Sequence, residues 1–126
     1  MMKQGPISRF VHGAIEYAAA VLLIAAPFIF DFDSGAATAV SIIAGILVIV
    51  IAASTEGPSS LINSIPIPAH LLLDFALAAA LIASPFLFGF SDESAPTAFF
   101  LVIGVVHLLV TIATRFKSSE PVADRR

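Results

Sequence analysis

The chain has 126 residues, of which 59% are apolar and 12% are charged, and its formal net charge is −3. Soluble domains are about 45–50% apolar and about 25% charged, and small domains bury the least of their surface. This composition therefore excludes a soluble single domain and a disordered chain. It also excludes a nucleic-acid-binding domain, which needs a basic face. The sequence predicts an integral membrane protein.

Four apolar segments follow one another along the chain, at residues 8–30, 36–53, 68–88 and 96–116. Each is close to the roughly 20 residues that a helix needs to cross about 30 Å of hydrocarbon. Helices are predicted because backbone polar groups in lipid must be satisfied within the segment. Asp33 and Ser34 are expected to cap the second helix and Ser94 the fourth, while Pro66 and Pro68 begin the third.

The stretches between these segments define the domain organisation. We expect an N-terminal tail, a first membrane hairpin, a linker, a second membrane hairpin and a C-terminal tail, at residues 1–7, 8–56, 57–67, 68–116 and 117–126. The linker has an apolar centre, Leu61, Ile62 and Ile65, which is expected at the membrane surface. We expect the first segment to be retained, because it is too long for the apolar region of a signal peptide.

The distribution of charge predicts the orientation of the chain. Every Lys and Arg lies in or beside the two tails: Lys3, Arg9, Arg115, Lys117, Arg125 and Arg126. The two short loops carry only acids: Asp31, Asp33, Asp92 and Glu93. We expect a multi-pass protein of the cell inner membrane. Positive residues of such proteins stay on the cytoplasmic side. Both termini and the linker are predicted in the cytoplasm, with the acidic turns outside.

The two halves of the chain form an internal repeat with an offset of 58 residues. The matched pairs are His12 with His70, Glu16 with Asp74, Pro27 with Pro85, Phe28 with Phe86 and, after one inserted residue, Gly45 with Gly104. Units that each cross twice insert in the same orientation and are related by an axis along the membrane normal. The predicted fold is therefore all-α, a four-helix transmembrane bundle built from two tandem helical hairpins with pseudo-twofold symmetry.

The repeated motif resembles that of a known family. It reads IASPFLFGF at residues 82–90 and APFIF at residues 26–30. This pattern, with a polar turn and a Gly-centred helix after it, is similar to the SPW-repeat family of small prokaryotic membrane proteins. Phe28 and Phe86 stand where the family has Trp, and Ala26 stands where it has Ser. The resemblance implies a membrane protein of two hairpins and brings no established activity.

The prolines of this motif, Pro27 and Pro85, lie near the predicted outer ends of their helices. Each removes one backbone hydrogen bond, so the helix can bend or stop there. Alternating Phe residues follow, and an extended segment would place all of them on one side. We expect a helix that ends near the interface and runs into an aromatic turn of an interfacial belt. A lipid or quinone-like pocket is the alternative.

Five histidine and carboxylate side chains lie within the predicted spans: His12, Glu16, His70, Asp74 and His107. The first four form two pairs spaced four residues apart, and each pair shares a helix face. Three interpretations are open: residues of the first turn at the interface, a buried hydrogen-bonded cluster, or an ion, proton or metal site. His107 aligns with Val48 and is expected to be a packing residue, or a donor to an acid if its face turns inward.

Nothing in the sequence indicates catalysis. It has no Cys, no Gly-rich phosphate loop, no nucleophile motif and no soluble region to hold a substrate. We expect a non-enzymatic scaffold or accessory protein without a cofactor, in contact with membrane lipid and with no nucleic acid. Its partner is expected to be a second copy or another membrane protein. The alternative is ion, proton or metal binding or transport through the intramembrane cluster.

Overall fold

The computed structural model describes residues 7–55 and 65–114. Within these residues four helices follow in chain order: α1 (Arg9–Ile29), α2 (Gly35–Ser54), α3 (Ile67–Leu87) and α4 (Ser94–Ala113). Each is long and apolar enough to cross a membrane, and each boundary lies within three residues of its prediction. Residues 1–6, 56–64 and 115–126, which include Leu61 and Ile62 of the linker, lie outside the described residues.

The four helices form two hairpins, α1 with α2 and α3 with α4, as the repeat predicts. Glycine lets the helices of each hairpin approach closely. A Cβ atom on Gly45 would lie 2.7 Å from the carbonyl oxygen of Ala20, and one on Gly104 would lie 2.7 Å from the Ile82 side chain. Close backbone approach is how helices associate in lipid, where apolar burial gives little driving force.

The pseudo-twofold symmetry is visible in two isolated parallel bridges. Ile7 pairs with Thr114, and Ile65, its repeat equivalent, pairs with Thr55. The backbone N–H of Ile7 donates to the carbonyl of Ala113 at 3.1 Å, and that of Ile65 donates to Ser54 at 2.7 Å. We call this the terminal end of the bundle. The opposite end, with residues 30–34 and 88–93, is the turn end.

The proline motif closes α1 and α3 with the same turn. Both helices end two residues after the proline, and the residue two further on has a left-handed backbone: Asp31 has φ 55° and Gly89 has φ 77°. The next N–H, of Phe32 or Phe90, donates back to the proline carbonyl at 3.0 and 2.9 Å. These bonds are typical of a Schellman helix end. The predicted helix end and aromatic turn are confirmed.

The aromatic residues of this turn lie on different sides, because the first of each set is still helical and the last follows a left-handed residue. Phe28 and Phe86 still belong to their helices and are 72% and 63% exposed. Phe32 and Phe90 follow the left-handed residue, which directs them into the core, and both are buried. The helix continues past the proline because Pro27 and Pro85 remove only one hydrogen bond of the last turns.

The start of α4 differs from the prediction for a physical reason. Ser34 caps α2 as expected, since its hydroxyl accepts the N–H of Ala37 at 3.0 Å. Ser94 is instead the first residue of α4, and Glu93 is the N-cap of this helix. The Glu93 carboxylate accepts the backbone N–H groups of Asp33 and Ser34 at 2.6 and 2.8 Å, in the other hairpin. The predicted Ser94 cap is wrong, and Glu93 makes no side-chain capping bond to α4 because its carboxylate is bound to the other hairpin.

We predict that Gly45→Ala destabilises the bundle while Gly35→Ala does not. The added methyl at Gly45 meets a backbone carbonyl that cannot rotate away, and overpacking costs about 1–3 kcal/mol. Gly35 lies in the same helix with nothing within 4 Å of an added Cβ, so it is the matched control. Thermal unfolding in detergent micelles measures both. Equal midpoints for the two variants would contradict the close approach.

Candidate functional site

The five histidine and carboxylate side chains of the predicted spans are all buried between the helices. The exposed fractions of His12, Glu16, His70, Asp74 and His107 are between 2% and 8%. This burial does not fit side chains that reach toward water, although His12 and His70 do lie close to the first residues of α1 and α3. The polar face of α1 and that of α3 both turn toward the bundle axis, because the repeat axis makes the two equivalent pairs face each other.

Four of these side chains form a closed ring, which we call the polar ring. Its corners are two imidazole nitrogens and two carboxylate oxygens in alternation. The contacts are His12 Nε2 to Glu16 Oε2 at 3.1 Å, His12 Nε2 to Asp74 Oδ2 at 3.1 Å, His70 Nε2 to Glu16 Oε2 at 3.0 Å and His70 Nε2 to Asp74 Oδ2 at 3.1 Å. Two contacts lie within a helix and two join α1 to α3. The ring thus links the hairpins through side chains.

Two threonines that the sequence analysis missed hold the imidazoles in place. The Nδ1 atom of His12 lies 2.8 Å from the Thr114 hydroxyl, and that of His70 lies 2.7 Å from the Thr55 hydroxyl. The threonines are equivalent in the repeat, at the offset that follows the inserted residue. This match within the repeat is the sequence signal that could have identified the two threonines. Each threonine directly follows the last residue of a helix, α2 or α4.

The threonines also determine which imidazole nitrogen faces the ring. The Thr55 hydroxyl donates its proton to the Ile51 carbonyl at 2.6 Å, and the Thr114 hydroxyl donates to Val110 at 2.5 Å. Each hydroxyl oxygen must therefore accept a proton from a histidine Nδ1–H. A neutral imidazole with its proton on Nδ1 has a lone pair on Nε2. A neutral imidazole thus turns this lone pair into the ring, whereas a doubly protonated imidazole donates its Nε2–H to the ring carboxylates, which accept when ionised.

The fifth polar side chain, His107, breaks the symmetry of the site. Its Nε2 atom is buried without a hydrogen-bond partner and lies 3.4 Å from Asp74 Oδ1, the oxygen outside the polar ring. The face of α4 that carries His107 turns inward. This is the condition under which we expected His107 to be a donor to an acid. Val48, at the equivalent position of the other hairpin, is also buried. The two carboxylates of the ring therefore have different surroundings.

The carboxylates of the polar ring need positive charge beside them. Two carboxylates are buried among apolar helices, and Arg9 is the only Lys or Arg in the part of the chain that the structure describes. A buried carboxylate is costly unless it is paired or bound to a cation. Two nitrogen and two oxygen donors are a ligand set that suits divalent transition metals. Histidine held by a second hydrogen bond on its other nitrogen is typical of such sites.

The SPW repeat domain model matches residues 10–114, which include all four helices except the first residue of α1. The chain belongs to the SPW repeat family. Neither a curated protein nor a solved structure matches it. Family and fold together identify a small multi-pass membrane protein, and the resemblance seen in the motif is confirmed. They assign no activity.

The SPW motif of this chain is separate from the polar ring. Pro27, Phe28, Pro85 and Phe86 all belong to the turn end, where the left-handed turns close α1 and α3. The position at which the family has Trp is exposed in both repeats. The motif shapes the helix ends and supplies no atom to the ring.

We predict that Thr55→Val and Thr114→Val each destabilise the protein. Valine keeps the shape of threonine but leaves a buried histidine Nδ1–H without an acceptor, which costs about 1–3 kcal/mol. Thr111→Val is the matched control, because the Thr111 hydroxyl donates to the His107 carbonyl of its own helix. Thermal unfolding in micelles compares the three variants. A control that is as unstable as the other two would contradict the assigned role of the threonines.

Proposed function

We propose that this protein is a non-enzymatic membrane protein that binds one divalent transition metal ion, of the zinc class, in the polar ring. One observation carries the proposal. Two imidazole nitrogens and two carboxylate oxygens alternate around a common centre, and all four atoms lie within 4.8 Å of one another. The threonine contacts hold each Nδ1–H away from that centre, so a neutral imidazole points its Nε2 lone pair toward it. No other grouping of donors in residues 7–55 and 65–114 is as complete.

The size of the ring supports a metal of this class. A flattened ring with sides of 3.0–3.1 Å has its centre at an average of about 2.2 Å from each corner, and puckering shortens this distance. Zinc binds imidazole nitrogen at about 2.0–2.1 Å and carboxylate oxygen at about 2.0–2.2 Å. Calcium prefers six to eight oxygen ligands at about 2.3–2.6 Å, which this donor set does not offer. The ring therefore favours zinc over calcium by both donor type and size.

The charge of the ring supports a divalent ion. Glu16 and Asp74 together contribute two negative charges, and neutral histidines contribute none. A divalent ion makes the whole centre neutral, which removes most of the cost of placing carboxylates at membrane depth. It also removes the contact between nitrogen and oxygen lone pairs, which is repulsive when nothing lies between them. A centre held by an extra proton on each imidazole is the competing arrangement.

The polar side chains support binding in place rather than passage across the membrane. His107 is the ring's last polar neighbour toward the turn end. Beyond it the described core is mainly apolar, with Leu23, Leu81 and Phe100 buried. Two buried serines there, Ser41 and Ser84, donate to backbone carbonyls at 2.6 Å. An ion in the ring would bond to both α1 and α3, so binding and a scaffold role reinforce each other.

We predict that the purified protein takes up one Zn²⁺ per chain and that Glu16→Gln combined with Asp74→Asn abolishes uptake. Loss of two direct ligands should exceed the about 10–100-fold loss of affinity that follows removal of one outer-shell partner. Titration calorimetry in detergent measures Zn²⁺ affinity, and Co²⁺ absorption reports the coordination geometry. Asp31→Asn combined with Asp92→Asn removes the same charge from exposed turns and is the matched control.

Two results would count against this proposal. Absence of Zn²⁺ and Co²⁺ binding to the wild-type protein would leave the ring held by protons on its imidazoles. Zn²⁺ flux through the wild-type protein in liposomes, lost in the double variant, would replace binding in place by transport. Thermal unfolding of the double variant separates both from a failure to fold.

We place the protein in the cell inner membrane with both termini in the cytoplasm, in contact with lipid and with a second copy or another membrane protein. The distribution of Lys and Arg supports this orientation. The bridge between Ile7 and Thr114 supports a common side for the two ends, because both leave the bundle at its terminal end.

We predict cytoplasmic signals from reporters fused to either terminus. Green fluorescent protein fluoresces when it is cytoplasmic, and alkaline phosphatase is active when it is exported. Fusions at each end should fluoresce and lack phosphatase activity, whereas phosphatase inserted after Asp92 should be active. Opposite signals from the two termini would overturn the topology.

A further inference from the structure

His107 is the one polar group near the ring that its repeat does not explain. Its Nε2 atom is buried, lacks a hydrogen-bond partner and lies 3.4 Å from Asp74 Oδ1. Asp74 uses its other oxygen, Oδ2, as a corner of the polar ring. A buried polar atom that lacks a partner is costly, and such exceptions in native proteins call for an explanation. The direction of this atom toward a ring carboxylate suggests one.

We propose that His107 is a positioning residue that donates its Nε2–H to Asp74 Oδ1 and so makes Asp74 bind the metal through a single oxygen. This inference rests on the metal binding proposed above. Metal-bound carboxylates are themselves commonly held by hydrogen bonds from outer residues, which fix their orientation. At 3.4 Å the contact is longer than a good N–H···O bond, and it shortens when the ion draws the carboxylate into a fixed position.

The repeat supplies a comparison within the same molecule. Glu16 occupies the equivalent corner of the ring, but its hairpin has Val48 where the other has His107. Valine cannot donate a hydrogen bond, so His107 distinguishes Asp74 from Glu16. The shorter side chain, Asp74, thus has a fixed single-oxygen geometry, while the longer Glu16 keeps its freedom to adjust. One rigid and one adaptable carboxylate let the ring close around an ion without moving either helix.

Two variants of similar volume test the role of the N–H group. His107→Leu removes the donor, and we expect Zn²⁺ affinity to fall by about 10–100-fold. His107→Gln retains an N–H at the end of the side chain and should stay within about threefold of wild-type affinity. Val48→Ala, at the equivalent position of α2, should leave the affinity unchanged. Titration calorimetry in detergent measures all four proteins.

Carboxylate infrared spectra give a second readout that a purely structural role would not change. With ¹³C-labelled aspartate, the splitting between the two carboxylate stretches separates one-oxygen from two-oxygen metal binding. We expect one-oxygen binding of Asp74 in wild type and His107→Gln, and two-oxygen binding in His107→Leu. Equal affinity of His107→Leu and wild type, or an equal loss in the Leu and Gln variants, would overturn the role of His107. Failure of the wild-type protein to bind Zn²⁺ would instead overturn the proposed function.

Discussion

The alternation of imidazole and carboxylate across α1 and α3 determines how the two halves of this bundle meet. Within each hairpin, glycine and alanine allow backbone contact, so those helices need no polar group to associate. Between hairpins, apolar surface gives little preference in lipid, because acyl chains are as apolar as the side chains. At the terminal end, the polar ring and its threonines determine which faces of the two hairpins meet. At the turn end, Glu93 accepts N–H groups from the other hairpin, and Phe99 contacts Phe30 and Phe32.

Duplication explains why a ring exists at all. One hairpin offers one imidazole and one carboxylate on a shared helix face. Each of these groups then has only one of its two contacts in the ring. A second copy related by twofold symmetry completes the alternation, and Thr55 and Thr114 complete the hydrogen bonds of both imidazoles. The departures from symmetry then mark where the halves have specialised. His107 replaces a valine beside the ring, and Glu93 replaces a capping serine at the turn end.

Composition and repeat were enough to predict the helices, their pairing and the two His-acid pairs, because each depends on a local pattern. The inward direction of those pairs depended on how α1 meets α3, which no local pattern contains. Thr55 and Thr114 were not predicted as site residues, because threonine is common at helix ends. Only the tertiary structure shows that an imidazole lies beside each of them. The Ser94 cap failed for the same kind of reason, since Glu93 is occupied by backbone groups some 60 positions away along the chain.

A metal ion in the ring would couple the stability of the bundle to the binding of the metal. An ion that bonds to both α1 and α3 adds its binding free energy to the association of the hairpins, since the separated hairpins cannot offer all four ligands at once. Without an ion or added protons, four lone-pair donors would face one another and favour separation at the terminal end. Contacts at the turn end, through Glu93 and the aromatic side chains, do not involve the ring and would persist. Occupancy of the ring would then change the spacing of the helices chiefly at the end from which both tails leave the bundle.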